Sequence, residues 1–357
     1  MKIVKYQIEQ ATLMPADPNW RISGFSIPTY EGSIVTLTAE DGTTGEGYGA
    51  PYTFLGETPS GCREAIELIC KRLVGQPAIS IHANMQLVRK AIRGHQASKA
   101  AADCAQHDLV ARILKVPLYQ VLGGKARSKI RLMRILTLKS PEEMGEQARR
   151  RVDEGYRYVK VKLAGDVQED VARVRSVRKA VGDDIFVSVD PNQAYNAKDA
   201  IAFCRRAEDQ NIVLVEQPVR DVDLDGLKEV TRSTSIKVEA DEAASTVEQS
   251  LDLIAMRRVD GINLKVPRCG GIADVMTIAH LCDAAGVTYR MGANVGSRLI
   301  SAHAVHVAAA LPNIVYASEL AEFERLHNDP YEGLTIVDGD ILVPDEIGSG
   351  VHRRKTH

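Results

Sequence analysis

No apolar run in this chain approaches the roughly 20 residues needed to span a bilayer, so no membrane-spanning helix is expected. Basic excess is also missing. Lys and Arg number 45 against 47 Asp and Glu, a formal net charge of -2, which gives nucleic acid or an anionic membrane no electrostatic footprint. Cys62, Cys70, Cys104, Cys204, Cys269 and Cys282 form no CxxC pair and no regular framework. They read as reduced, mostly buried thiols. Met1-Lys2-Ile3-Val4 opens as a strand rather than a signal peptide, so a cytoplasmic location is expected. What is present is the mix of a globular protein: 45% apolar and 26% charged residues in a chain of 357. That length allows one large domain or two ordinary ones with ample core.

The first part of the chain reads as strands and then helices. An opening strand, a second at residues 33–38, a turn at Asp41-Gly42 and a third through Gly45-Glu46-Gly47-Tyr48 make a meander. Residues 16–31, with the single tryptophan Trp20 and with Tyr30, form a long loop suited to a lid, as do residues 51–57 with Tyr52 and Phe54. Helical periodicity follows over 59–74, 82–93 and 98–114, and Gly123-Gly124 closes the unit. An α+β capping domain over residues 1–125 is the expectation.

Beyond it the pattern alternates. Strand-like runs at 130–137, 158–163, 185–190, 212–216, 236–241, 261–265, 287–292 and 314–319 are separated by amphipathic helices. The first helix carries a capping box, Ser140-Pro141-Glu142-Glu143. Eight such units predict a parallel β/α barrel over residues 126–325. A doubly wound sheet fits less well, because no GxGxxG follows a strand. Residues 326–357, with a hairpin turning at Asp338-Gly339, are expected to return to the capping domain.

In a parallel barrel the chemistry gathers at the C-terminal strand ends. Those ends read Lys160 and Lys162, Asp190, Glu216, Asp241 and Lys265, with steps of 28, 26, 25 and 24 residues from Lys162 onward. Each step is one β/α unit, so the side chains reach one rim. Any one carboxylate is an ordinary acidic residue after a strand. Three in register would repel unless a cation lay between them. All-oxygen ligation suits Mg²⁺, with Mn²⁺ as the alternative. Lys160 and Lys162 stand two apart, so their ammonium groups would lie about 6–7 Å apart and at least one pKa should fall. A lysine on each side of the metal offers an acid and a base for an α-proton of a carboxylate substrate.

Lys160-Val-Lys162, Asp190-Pro-Asn192, Val215-Glu216-Gln-Pro218, Ala240-Asp241-Glu242 and Asn263-Leu-Lys265-Val-Pro-Arg-Cys-Gly270-Gly271 resemble the enolase superfamily, and within it the muconate-lactonizing-enzyme subgroup. The resemblance implies a (β/α)7β TIM-like barrel with an N-terminal α+β capping domain, and a homo-oligomer. It implies Asp190, Glu216 and Asp241 as Mg²⁺ ligands, Lys162 and Lys265 as the acid/base pair, and Lys160 as the group that tunes Lys162. Asn192 would support the metal shell.

No histidine follows strand seven, where the mandelate-racemase branch places one; Asn294, Val295 and Gly296 stand there. His303 and His306 lie in the next helix and read as core or surface residues. The paired aspartates that mark dipeptide epimerases after strand eight are replaced by Glu319-Leu-Ala-Glu322. Candidate substrate contacts are Asn192, Arg134, Asn294, Glu319, Phe54, Tyr52 and Trp20, with Arg290 and Arg298 as further cations. The expected activity is racemisation or epimerisation of an amino-acid derivative through a metal-stabilised enolate. Cycloisomerisation of the muconate type, dehydration of a β-hydroxy acid such as a hydroxyproline, and a non-catalytic binding barrel are the alternatives.

Overall fold

Seven consecutive parallel strands carry the rim, and the sequence shows why they are strands. Met133–Leu136, Tyr158–Lys162, Phe186–Asp190, Ile212–Glu216, Lys237–Ala240, Gly261–Leu264 and Thr288–Met291 pair in chain order. They are hereafter barrel strands one to seven. In the computed structural model the described residues are 1–17, 21–22, 25–26 and 28–355.

β-Branched residues recur along these strands and most of them are buried. Val159 and Val161 on strand two, with Val187 and Val189 on strand three, belong to the main core. A fully covered parallel sheet demands that composition. The helices start where their caps predict: Ser140 and Glu143 exchange side-chain bonds with each other's backbone at the head of Pro141–Asp153. Among the described residues no helix is long and apolar enough to cross a membrane.

The eighth strand is not a regular one. Residues 315–319 nevertheless close the ring, with Val315 and Glu319 N–H bonded to the Tyr289 and Met291 carbonyls of strand seven. On the other side Ser318 N–H reaches Arg131 and Met133 N–H reaches Ser318. Tyr316 has φ of +57°, which breaks the extended run while sparing its two-sided bonding. The expected first strand is also split. Lys129–Arg131 turns outward to pair antiparallel with Asp340–Leu342, and Met133–Leu136 alone pairs with strand two.

The N-terminal unit is a four-stranded sheet in which Ile3–Pro15 lies between Leu326–His327 and Tyr30–Ala39, followed by Thr44–Gly49. Its long helix, Gln96–Leu114, packs on Thr44–Gly49 almost backbone to backbone. A Cβ on Gly45 would meet Leu109 N at 2.2 Å, and one on Gly47 would meet Ala101 O at 2.1 Å. Glycine on the strand opposite an alanine-rich helix permits that approach. The hairpin Ile336–Val337 with Asp340–Leu342 turns at Asp338 (φ +49°) and Gly339 (φ +74°), the left-handed pair that tight hairpins require. Arg353 then reaches back to Glu9 and Glu46.

Candidate active site

Eight stations around a closed ring put strands two and six four apart in either direction, so Lys162 and Lys265 stand on opposite walls. Both line a cleft at the C-terminal rim, together with Lys160, Asn192, Asp241, Glu242, Arg268, Asn294 and Glu319. Tyr30, Tyr52, Phe54, Leu55, Ile135 and Val295 supply its apolar walls.

Each rim carboxylate is drawn to a cation. Asp190 accepts from Lys162 and lies 3.2 Å from Lys160 Nζ, and its Oδ1 takes the Asn192 N–H at 2.8 Å. Glu216 accepts from Lys160 at 2.9 Å, from Asn263 Nδ2 at 2.9 Å and from Arg290. Asp241 takes Lys265 Nζ at 2.7 Å on one oxygen and Arg268 on the other. Burial opposes ionisation of Glu216, but Lys160 and Arg290 outweigh it and hold the carboxyl well below its usual range. Arg268 and Lys265 do the same for Asp241.

The expected fall in pKa on strand two does not occur at Lys160. Burial acts to lower it, yet Glu216, Glu319 and Asp190 together raise it well above the ordinary lysine value. Lys160 Nζ is 2.6 Å from Glu319 and 1% of the residue is exposed. It is a counter-ion before it is anything else.

Among the described residues no three His, Cys, Asp or Glu side chains are gathered so as to hold a metal ion; the lysines and arginines separate the acids. The donor chemistry nevertheless fits a hard dication. Five buried carboxylates (Asp190, Glu216, Glu239, Asp241, Glu319) and the half-buried Glu242 face five cations (Lys160, Lys162, Lys265, Arg268, Arg290). Two acids register the excess: burial, then the neighbouring acids, push Glu242 up to about 7, and burial pushes Glu239 up to about 8 even against Arg290. Glu242 Oε2 and Glu319 Oε2 are buried without a hydrogen-bond partner. Oxygen donors with unspent charge suit Mg²⁺ and not a soft metal.

Of the expected substrate contacts, Asn192, Asn294, Glu319, Tyr52 and Phe54 do line the cleft. Asn192 Oδ1 accepts from Lys162 Nζ at 2.6 Å, so it aims a lysine. Glu319 is committed through Oε1 to Lys160 and Arg290. Tyr52 donates its hydroxyl to the Val295 carbonyl and packs at a tilt against Phe54, ring centroids 5.0 Å apart, tying the loop to the rim. Trp20 lies outside the described residues.

Arg134 is a correction. Its neighbour Ile135 points into the cleft, and strand alternation sends Arg134 the other way. There it pairs with Glu324 at 2.9 Å beside the Tyr156 ring. Arg290 is fully buried among Glu216, Glu239 and Glu319. Arg298 donates to the Tyr331 carbonyl at 3.0 Å. None of the three meets the cleft. Of the core or surface role expected for His303 and His306, the structure shows the core one: both are fully buried.

Some contributors to the cleft, Arg268 and Ile135 among them, were given no role in the sequence. Arg268 stands one helical turn beyond Lys265, a spacing that could have signalled it. Tyr30 begins a strand that looked like loop, and Leu55 lies in the expected lid loop 51–57 without having been singled out.

Known proteins agree with this layout. Residues 143–356 match the model described as enolase C-terminal domain-like. Residues 9–123 match the mandelate racemase/muconate lactonizing enzyme N-terminal domain. A hydrophobic dipeptide epimerase of Enterococcus faecalis is 34% identical over 90% of this chain and 91% of its own. Chloromuconate cycloisomerase of Cupriavidus necator is 33% identical over 78% and 76%. The crystal structure of dipeptide epimerase from Enterococcus faecalis V583, complexed with Mg and the dipeptide L-Leu-L-Tyr, superposes with a TM-score of 0.94. It is 32% identical and covers 98% of this chain and 99% of that one.

Proposed function

Because this chain belongs to the mandelate racemase/muconate lactonizing enzyme family of isomerases, we propose that it racemises or epimerises an amino-acid derivative at the carbon next to its carboxylate. The observation that carries this is the placement of Lys162 and Lys265 on opposite walls of one cleft. One neutral lysine takes the α-proton from its face, and the opposing ammonium returns a proton to the other face. Run backward, the two exchange roles. A divalent ion held by Asp190, Glu216 and Asp241 would stabilise the negative charge that builds on the substrate carboxylate.

The walls favour an apolar substrate. Tyr30, Tyr52, Phe54, Leu55, Ile135 and Val295 present hydrocarbon. Every Lys and Arg among the described lining residues is already paired with a carboxylate. A second anionic group on the substrate therefore has no cation waiting for it. An N-acyl amino acid or dipeptide with an aliphatic or aromatic side chain fits best. Cycloisomerisation stays the second reading, supported by the likeness to chloromuconate cycloisomerase, and needs only one of the lysines as a base.

The test is a panel of N-acyl amino acids, dipeptides, proline derivatives and muconates in deuterated buffer with Mg²⁺. Deuterium should enter the α-position from both stereoisomers of an apolar substrate. Product that forms without α-exchange would overturn racemisation.

A further inference from the structure

Gly271 opens the barrel helix Ile272–Ala285 and has no side chain with which to cap it. The cap comes from the N-terminal unit: Asp103, on Gln96–Leu114, accepts the Ala273 N–H at 3.0 Å. Gly271 has φ of +127°, and a Cβ there would sit 2.2 Å from Asp103 Oδ2. The two elements are thus in direct contact, and Asp103 is 1% exposed. Two more tethers run beside it. Gln96 Nε2 donates to Ser245 O at 3.1 Å, just past Asp241, and Arg89 Nε donates to Asp274 at 3.0 Å.

Between this clamp and Lys265 lies one helical turn. Cys269 N–H bonds Lys265 O at 2.9 Å. Arg268, in the same turn, holds both Asp241 and the Asn263 carbonyl. A displaced Gly271 would therefore move Lys265 and Arg268 together. Lys162 has no such dependence. Asp190 and Asn192 hold it, and the loop after it is closed by Asp170, which takes the Ala164 and Gly165 N–H groups at 3.0 and 2.9 Å. All of these belong to the barrel.

We infer that Asp103, aided by Gln96, is a positioning residue for Lys265 and not for Lys162, so that the N-terminal unit sets the geometry of one face of the reaction alone. This rests on the two-lysine reading above. The inference concerns placement, and Asp103 touches no reacting atom.

The experiment compares Asp103→Ala, Asp103→Asn and Gln96→Ala with Lys265→Ala as reference. Stereoisomer-resolved α-deuteration is measured on the Mg²⁺-loaded enzyme. For the isomer whose exchange Lys265→Ala abolishes, Asp103→Ala should slow exchange by about ten- to a hundredfold, with the other isomer within about twofold. Asp103→Asn keeps an acceptor and should recover most of the loss; Gln96→Ala should show a weaker loss on the same face. On the metal-free protein, amide hydrogen exchange of residues 270–276 should quicken about tenfold in Asp103→Ala. Equal slowing of both isomers, or unchanged amide protection, would overturn the inference. Failure of the two-lysine reading looks different: Lys162→Ala and Lys265→Ala would not lose opposite isomers, and the amide measurement would still decide the clamp.

Discussion

The strand-two wall and the strand-six wall carry the same functional group and hold it differently. Lys162 is fixed entirely by its own barrel, through Asp190 and Asn192, with buried Asp170 locking the following loop. Lys265 is fixed by Asp241, but the turn behind it leans on Asp103 from the other unit. A buried aspartate thus closes the loop behind each lysine, one local in sequence and one distant. The difference teaches that opposite faces of a symmetric reaction can be tuned separately. On the proposed two-lysine reaction, the barrel would own one face and the N-terminal unit would have a hand in the other.

The largest expected effect falls on what the two walls share. Arg290 binds Glu216, Glu239 and Glu319 beneath the cleft. Arg290→Met leaves buried Glu239 without its cation and takes one of two cations from Glu216 and Glu319, which keep Lys160, and should cost about 3–5 kcal/mol of stability. The shift in urea midpoint measures it, and a loss under about 1 kcal/mol would contradict the role.

Next is the seam between units. His306 Nδ1 accepts the Tyr119 N–H at 3.3 Å while Nε2 donates to Ser349 O at 3.1 Å, which requires the neutral ring. Burial depresses its pKa from 6.5 to about 4. A depressed folded value means that this contribution is intact above pH 6.5. It is lost as pH falls toward 4, by about 3 kcal/mol in all. Urea midpoints against pH should lose that slope in His306→Gln; an unchanged slope would assign it elsewhere.

Asn192→Ala sharpens the comparison from the strand-two side. It should slow exchange from the Lys162 face about tenfold and spare the Lys265 face, the mirror of the Asp103 result. Smallest is Tyr52→Phe, which removes one hydrogen bond to Val295 and should cost about 1 kcal/mol, read as a higher KM at nearly constant kcat.

How much of this was legible in the sequence follows from range. Lys162, Asp190, Glu216, Asp241 and Lys265 were legible because β/α spacing places successive strand ends on one rim. Arg134 was misplaced because facing depends on where strand one begins. That strand is cut at Leu132, whose paired neighbour Lys129–Arg131 serves a different sheet. The irregular eighth station turns on a left-handed Tyr316, which no propensity signals. The like-charge argument for strand two lacked Glu319, 159 residues from Lys160 in sequence and in contact in space, which helps to raise Lys160. Like-charge arguments need the full set of opposite charges, and only the fold supplies it.

One measurement bears most directly on the opposed lysines. Lys162→Ala and Lys265→Ala are each given both stereoisomers of one accepted substrate in deuterated buffer with Mg²⁺, and α-deuteration is followed by NMR. Each variant should lose exchange of one isomer by at least about 10³-fold and retain the other, with the two variants losing opposite isomers. If both variants lose the same isomer, or either keeps both, the lysines do not serve opposite faces.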